Sequence, residues 1–327
     1  MFINYLVILL NISDYYIPKQ TNTMKKIALI LFASFFSVVV SAQEVIFKTL
    51  AAKGTCMVQR GANPDEYTPI STGVKIYEED KIIITGSASY VGLVSPDGKA
   101  LELKKGGVYY VKDLANALAS GETSLAQKYL SMLANDMSKV DDNTARNMKY
   151  TGSVERSVEN KEIVIFLPET TKIASVAGSI QWFPKTDAAS YKVNIFNLYE
   201  ESVYTKTTSQ KSMDIDFSLL GLKPGQIYKM SVADASNPSN NSGFTSLQVP
   251  TRSEMAKYET DLSMLRNEIP ANSAIGDMVI ATYFEDQELF LNAIPYYESA
   301  IEKEPNIVEF QDAYNMFLFK IGLETVK

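Results

Sequence analysis

The 327-residue chain has no histidine, one cysteine and one tryptophan. Without histidine there is no Ser-His-Asp or Cys-His catalysis and no His-ligated zinc or iron, and the usual physiological pH switch is missing. A single thiol cannot close an internal disulfide, so stability must come from packing. That thiol, Cys56, lies in the alternating stretch "GTCMVQRG" and reads as a small buried side chain. Positive charge is also short. Lys and Arg number 31 against 38 Asp and Glu, for a net charge of −7. Such a balance speaks against binding nucleic acid or anionic lipid.

Motifs with chemistry are missing too. There is no Gly-rich phosphate loop, no calcium loop of the D-x-D-x-D-G kind and no ligand set with metal spacing. Paired carboxylates of the kind a glycosidase uses have three candidates: Glu78-Glu79-Asp80, Asp141-Asp142 and Glu200-Glu201. The first and third fall at expected turns and the second in a linker, so all three read as solvated loop charge. No catalytic, cofactor-binding or metal-binding residue is assigned, no cofactor is expected, and the chain reads as non-enzymatic.

A strong export signal is present. From Met24 the chain runs "MKKIALILFASFFSVVVSAQEV". Lys25 and Lys26 form a positive n-region, Ile27–Val40 an apolar run of 14 residues, and Val40-Ser41-Ala42 a small-residue cleavage site. Fourteen residues are short for a spanning helix, which takes about 20. We expect cleavage after Ala42, with residues 24–42 the signal peptide and 1–23 an extension upstream of the working start. The alternative is that the segment stays as a membrane anchor. Removing residues 1–42 takes Lys19, Lys25, Lys26 and Asp14, leaving 28 basic and 37 acidic residues and a net charge of −9.

The pattern then changes twice, and the reading is multidomain: a small all-β N-terminal module, a central β-sandwich and an α-helical C-terminal repeat module. Residues 43–111 hold short alternating runs between marked turns. Pro96-Asp97-Gly98 is a turn with Val91 and Leu93 alternating before it and Leu101 and Leu103 after it, which predicts a hairpin. The order of Pro69, Gly73, Asp80, Ile82, Thr85, Ser89, Asp97, Gly98 and Leu103 resembles the FecR-type domain. The resemblance implies an extracytoplasmic β-domain. The regulatory role of that family's namesake would require the signal segment to remain as an anchor.

Residues 112–139 read as a helical link. Leu114 and Leu118, then Leu125, Tyr129, Met132 and Leu133, recur at helical spacing, with Gly121 dividing two helices and Thr123 or Ser124 capping the second. We expect this stripe to pack on the first module. Residues 140–162 are polar and linker-like.

Residues 163–250 show alternating runs with frequent turn signals, the pattern of a sandwich. Trp182 with Pro184, then Tyr191, Val193 and Ile195, then Leu222-x-Pro224-Gly225-x-x-Tyr228 resemble a fibronectin type III or related immunoglobulin-like domain. The resemblance makes Trp182 a core residue and Tyr228 the tyrosine of a corner whose hydroxyl bonds to upstream backbone. Sugar stacking is the sharper alternative for Trp182.

Residues 251–327 read as helices. Ile280, Ala281, Phe284, Ala293, Tyr297, Ala300 and Pro305 resemble one tetratricopeptide repeat. Small Ala281, Ala293 and Ala300 would mark where two helices cross closely, and flanking helices are expected at 253–268 and 307–323. In this reading Asp277, Met278, Thr282, Gln311 and Asn315 are exposed on the groove-forming helices. The expected function is a non-enzymatic exported scaffold or sensor, periplasmic or elsewhere in the cell envelope. It would contact other envelope proteins through the helical module and the sandwich, with no nucleic acid, and touch the membrane only if the signal segment is uncleaved. The alternatives are a carbohydrate-binding envelope protein using exposed tyrosines, and a signal-anchored regulator.

Overall fold

The computed structural model describes residues 44–118, 125–139, 161–174 and 177–321. The expected extension, signal peptide, Gly121 break, Thr123 or Ser124 cap and the Asp141-Asp142 pair lie outside the described residues. What is described is mixed: β-sheets in the N-terminal and central parts, and six α-helices, four of them closing the chain.

Two long antiparallel strands, β1 (Val45–Gln59) and β4 (Lys81–Val94), form the spine of the first sheet. Short β2 (Tyr67–Pro69) and β3 (Lys75–Tyr77) flank β1, and β5 (Ala100–Leu103) and β6 (Gly107–Tyr110) flank β4. The predicted hairpin forms, with Val91 opposite Leu103 and Leu93 opposite Leu101. Its turn closes through Gly98 N–H to Ser95 O at 3.0 Å, with Gly98 at φ +83°. The register of β1 on β4 slips between Lys53 and Thr55. Gly54 sits there at φ +82°, and a Cβ would meet the Ser89 backbone at 3.0 Å. Only glycine fits such a bulge without strain.

Strand alternation gives this sheet two apolar faces. Phe47, Val58, Ile76, Ile82, Ile84 and Leu93 line one, partly closed by Val111 and Leu114 of α1 (Val111–Ala117). Leu50, Ala51 and Tyr90 belong to the other.

The central part is two sheets facing each other. One has the order β11-β10-β13-β14-β8 and the other β12-β9-β7. The strands are β7 (Ile163–Ile165), β8 (Thr170–Lys172), β9 (Ala177–Pro184), β10 (Tyr191–Phe196), β11 (Ser202–Thr208), β12 (Ser212–Asp216), β13 (Ile227–Asp234) and β14 (Thr245–Gln248). Every pairing in them is antiparallel except β8 on β14. Their inner faces bury Ile180, Trp182, Tyr191, Val193, Ile195 and Val232. Trp182 and Tyr191 meet edge to face with centroids 5.6 Å apart.

The helices are α2 (Leu125–Lys139), α3 (Arg252–Glu268), α4 (Ala274–Asp286), α5 (Phe290–Lys303) and α6 (Val308–Lys320). Thr251 opens α3 with a capping box, its side chain accepting from Glu254 N–H while Glu254 reaches back to the cap N–H. A three-residue connection folds α5 back against α4, with Ala281, Ala293 and Ala300 fully buried where they meet. Short side chains permit that approach, as the spacing predicts.

Ala126, Tyr129, Leu130, Leu133 and Met137 of α2 enter the same core as α3–α6 and the second face of the first sheet. The expected docking of α2 on the first module is therefore only part of its packing. It packs against both that sheet and the C-terminal helices, which also meet each other directly, with Tyr90 and Phe310 edge to face at 6.2 Å. The sandwich joins through α5: Leu291 belongs to the sandwich core, and its methyl carbons lie 3.3 Å from where a Cβ on Gly178 would be.

Candidate functional site

One polar cluster between segments lies where the first sheet meets α4. Glu102, on β5, is 8% exposed at its side chain. Its Oε1 accepts from Ile275 N–H at 2.9 Å and from the Tyr90 hydroxyl at 3.0 Å. Lys104 lies 3.0 Å from Oε2 and 2.7 Å from Glu304 Oε1. Ile275 is in the first turn of α4, where N–H groups lack helical partners and the helix dipole favours negative charge. A strand carboxylate thus satisfies a helix terminus. Burial, followed by the charge and hydrogen bond of Glu102, pushes the Tyr90 phenol well above its usual value. Burial alone would lower Lys104, but the bonds to Glu304 and Glu102 outweigh it and leave it raised.

The same device recurs on α2. Glu268 of α3 accepts from Ala126 N–H at 2.9 Å. Lys128 and the Tyr129 hydroxyl both bond Asp286 Oδ2, at 2.6 and 3.1 Å. These groups couple segments that are distant along the chain.

The acidic clusters separate. Glu78, Glu79, Glu200 and Glu201 are exposed, as expected. Asp80 is not. It is 4% exposed and accepts from Arg60 Nη1 at 2.7 Å, Tyr77 N–H at 3.0 Å and Gly61 N–H at 3.0 Å. Unlike its two neighbours, Asp80 departs from the expected solvated loop charge, because full hydrogen bonding lets it be buried. Asp80 ties the turn before β4 to the loop after β1. Cys56 is 3% exposed, its thiol facing Lys53 O at 3.3 Å, and burial raises its pKa. It packs as a small apolar side chain.

The helical residues expected to meet a partner are also redistributed. Met278 is fully buried and Thr282 is 4% exposed, donating to Met278 O at 2.8 Å. The common core covers them, because α2 and the first sheet pack where the groove reading left open space. Asp277 accepts from Ser299 Oγ at 2.7 Å and Lys303 Nζ at 2.6 Å. Gln311 and Asn315 are exposed.

Trp182 is 2% exposed, which places it in the core and removes it as a stacking platform. Exposed apolar side chains gather instead on the sandwich. Phe244 and Phe196 meet edge to face at 6.2 Å, with Lys229 Nζ 5.3 Å from the Phe244 centroid. Ile227, Leu198 and Val203 are exposed on the same part of the fold, and Tyr199 is 87% exposed at the β10–β11 hairpin tip. No pattern of residues in the sequence singled this patch out.

Among the described residues, no group of three or more Cys, Asp or Glu is placed to hold a metal ion, and no helix is long and apolar enough to cross a membrane. The chain matches no family model and no curated protein.

Proposed function

We propose that this chain is an exported, non-enzymatic protein that holds or senses other proteins in the cell envelope. It would combine a FecR-like β-domain, a fibronectin type III-like sandwich and a tetratricopeptide-like helical pair. One observation carries the binding assignment: exposed apolar side chains are grouped on the sandwich, around Phe244, Ile227 and Leu198, while Met278 and Thr282 of the helical pair are buried. Exposed apolar groups rimmed by polar residues suit protein partners. In this reading the helices brace the β-modules, and the sandwich meets the partner.

The test is crosslinking in the producing cell followed by mass spectrometry, comparing wild type with Phe244→Asp and Leu198→Asp. Envelope proteins crosslinked through the sandwich by wild type and lost in both variants support the proposal. Partners retained by both variants, or crosslinks only to the helices, count against it. Recovery of glycans in place of proteins favours the carbohydrate-binding alternative.

A further inference from the structure

The edges of the sheets are not equally protected. Unpaired edge strands attract further strands unless they are short, charged, bulged, covered or interrupted by proline. Among the described residues, edge strands β2, β3, β7 and β8 have three residues each and β5 and β6 four. Strand β12 has five, including Asp214 and Asp216. Strand β11 has seven, "SVYTKTT", with a single charge at Lys206. Among the described residues it pairs only with β10, and all its side chains except Tyr204 and Thr208 are exposed. Its one irregularity is the register shift that leaves Val203 without a partner, near the start of the strand.

The direction of its backbone groups follows from the ladder. Ala235 N–H donates to Ser190 O at 3.0 Å, one step beyond the pairing of Tyr191 with Asp234. Antiparallel bonding alternates. Hence Tyr191, Val193 and Ile195 bond towards β11, and their partners Thr208, Lys206 and Tyr204 bond back. The N–H and C=O of Thr205 and Thr207 then point to the open edge.

We propose that β11 pairs antiparallel with β11 of a second copy about a two-fold axis at Thr205, joining two five-stranded sheets into one of ten. Charge selects the partner and the register. The strand follows an acidic corner, Glu200-Glu201, and leads to Lys206 and Lys211. Antiparallel self-pairing brings the acidic end of each copy beside the basic end of the other. Centred on Thr205, Lys206 faces Tyr204 of the second copy, and Glu201 approaches its 209–211 turn, which carries Lys211, itself 2.6 Å from Asp187 of its own chain. Moving the centre one residue to 206 sets Lys206 against Lys206, which directly opposed like charges disfavour. The proposal does not depend on export or on the partner surface around Phe244.

The protein should be studied as its producing cell processes it, by sedimentation equilibrium across a wide concentration range. A dimer is expected for wild type. Thr205→Pro should be monomeric with unchanged circular dichroism, because the lost N–H faces outward and proline is tolerated on a sheet edge. The sole cysteine is buried, so single-cysteine probes are clean. Thr205→Cys should form a disulfide-linked dimer under mild oxidation, and Lys206→Cys should not. A monomeric wild type, a Thr205→Pro variant that stays dimeric, or crosslinking through position 206 in place of 205 each overturns the proposal.

Discussion

Glu102 Oε1 accepts the Ile275 N–H at 2.9 Å across 173 residues of chain, so a strand of the first sheet caps a helix of the C-terminal part. The carboxylate is almost fully buried and also holds the Tyr90 hydroxyl. Glu102→Ala leaves that N–H and hydroxyl unpaired in a dry site, at a cost of about 2–3 kcal/mol. Glu102→Gln keeps an acceptor but loses the charge at the helix terminus, and should cost about 1–2 kcal/mol. Denaturant titration ranks them. Equal stability of both variants with wild type would falsify the capping role.

Asp286 gives a pH-dependent contribution. Burial favours its protonation, but the Lys128 hydrogen bond and charge and the Tyr129 and Gln287 hydrogen bonds outweigh it, leaving the folded pKa below the usual aspartate value. A depressed folded pKa means that the unfolded state binds the proton more readily. The stabilisation is therefore present above the unfolded value of about 3.9 and fades as pH falls through the folded value. Asp286→Asn should be less stable than wild type at neutral pH, with the gap closing below about pH 4. Urea unfolding at a series of pH values measures it, and a gap that is constant across the series contradicts the coupling.

Lys223 N–H donates to the Tyr228 hydroxyl oxygen at 3.0 Å, five residues upstream, the contact expected of a tyrosine corner. Tyr228→Phe removes the acceptor and keeps the ring, so a loss of about 0.5–1.5 kcal/mol is expected. The patch around Phe244 is untouched, and crosslinked partners should stay the same. Hydrogen exchange should show the loss concentrated in the sandwich.

Ala293→Arg forces a long charged side chain into a fully buried contact between α4 and α5. Overpacking costs about 1–3 kcal/mol and the buried charge more. Because α2–α6 share a core with the first sheet, loss of hydrogen-exchange protection should spread to β1 and β5 and not stop at residue 251. Protection lost in the helices alone would mean that the shared core contributes little coupling.

Asp80→Ala takes the carboxylate from Arg60, which keeps its bond to Lys75 O, and leaves two backbone N–H groups unpaired. Removing one partner of a buried ion pair costs about 3–5 kcal/mol, and Arg60's partial exposure places the expectation near the lower end. Thermal unfolding compared with Glu79→Ala gives the contrast: the exposed neighbour should shift the midpoint little.

Elements set by local chemistry were legible in the sequence. The Val91–Leu103 hairpin follows from alternation around a Pro-Asp-Gly turn, and the small residues at Ala281, Ala293 and Ala300 foretold a close helix pair. Helix α3 was expected at 253–268 and runs Arg252–Glu268. Such signals lie within a few residues of each other, where periodicity and turn preference act. Other outcomes depended on which surfaces met. The stripe on α2 announced a buried face without naming what buries it, since Tyr129 and Leu133 suit any apolar neighbour of the right shape. Glu78, Glu79 and Asp80 are alike as charges, and only the fold brings Arg60 and two N–H groups to the third. Burial of Met278 and Thr282, and the capping of Ile275 by Glu102, were likewise decided by tertiary structure. A side chain's type determines what it can satisfy, and the partner it finds is chosen by contacts far along the chain.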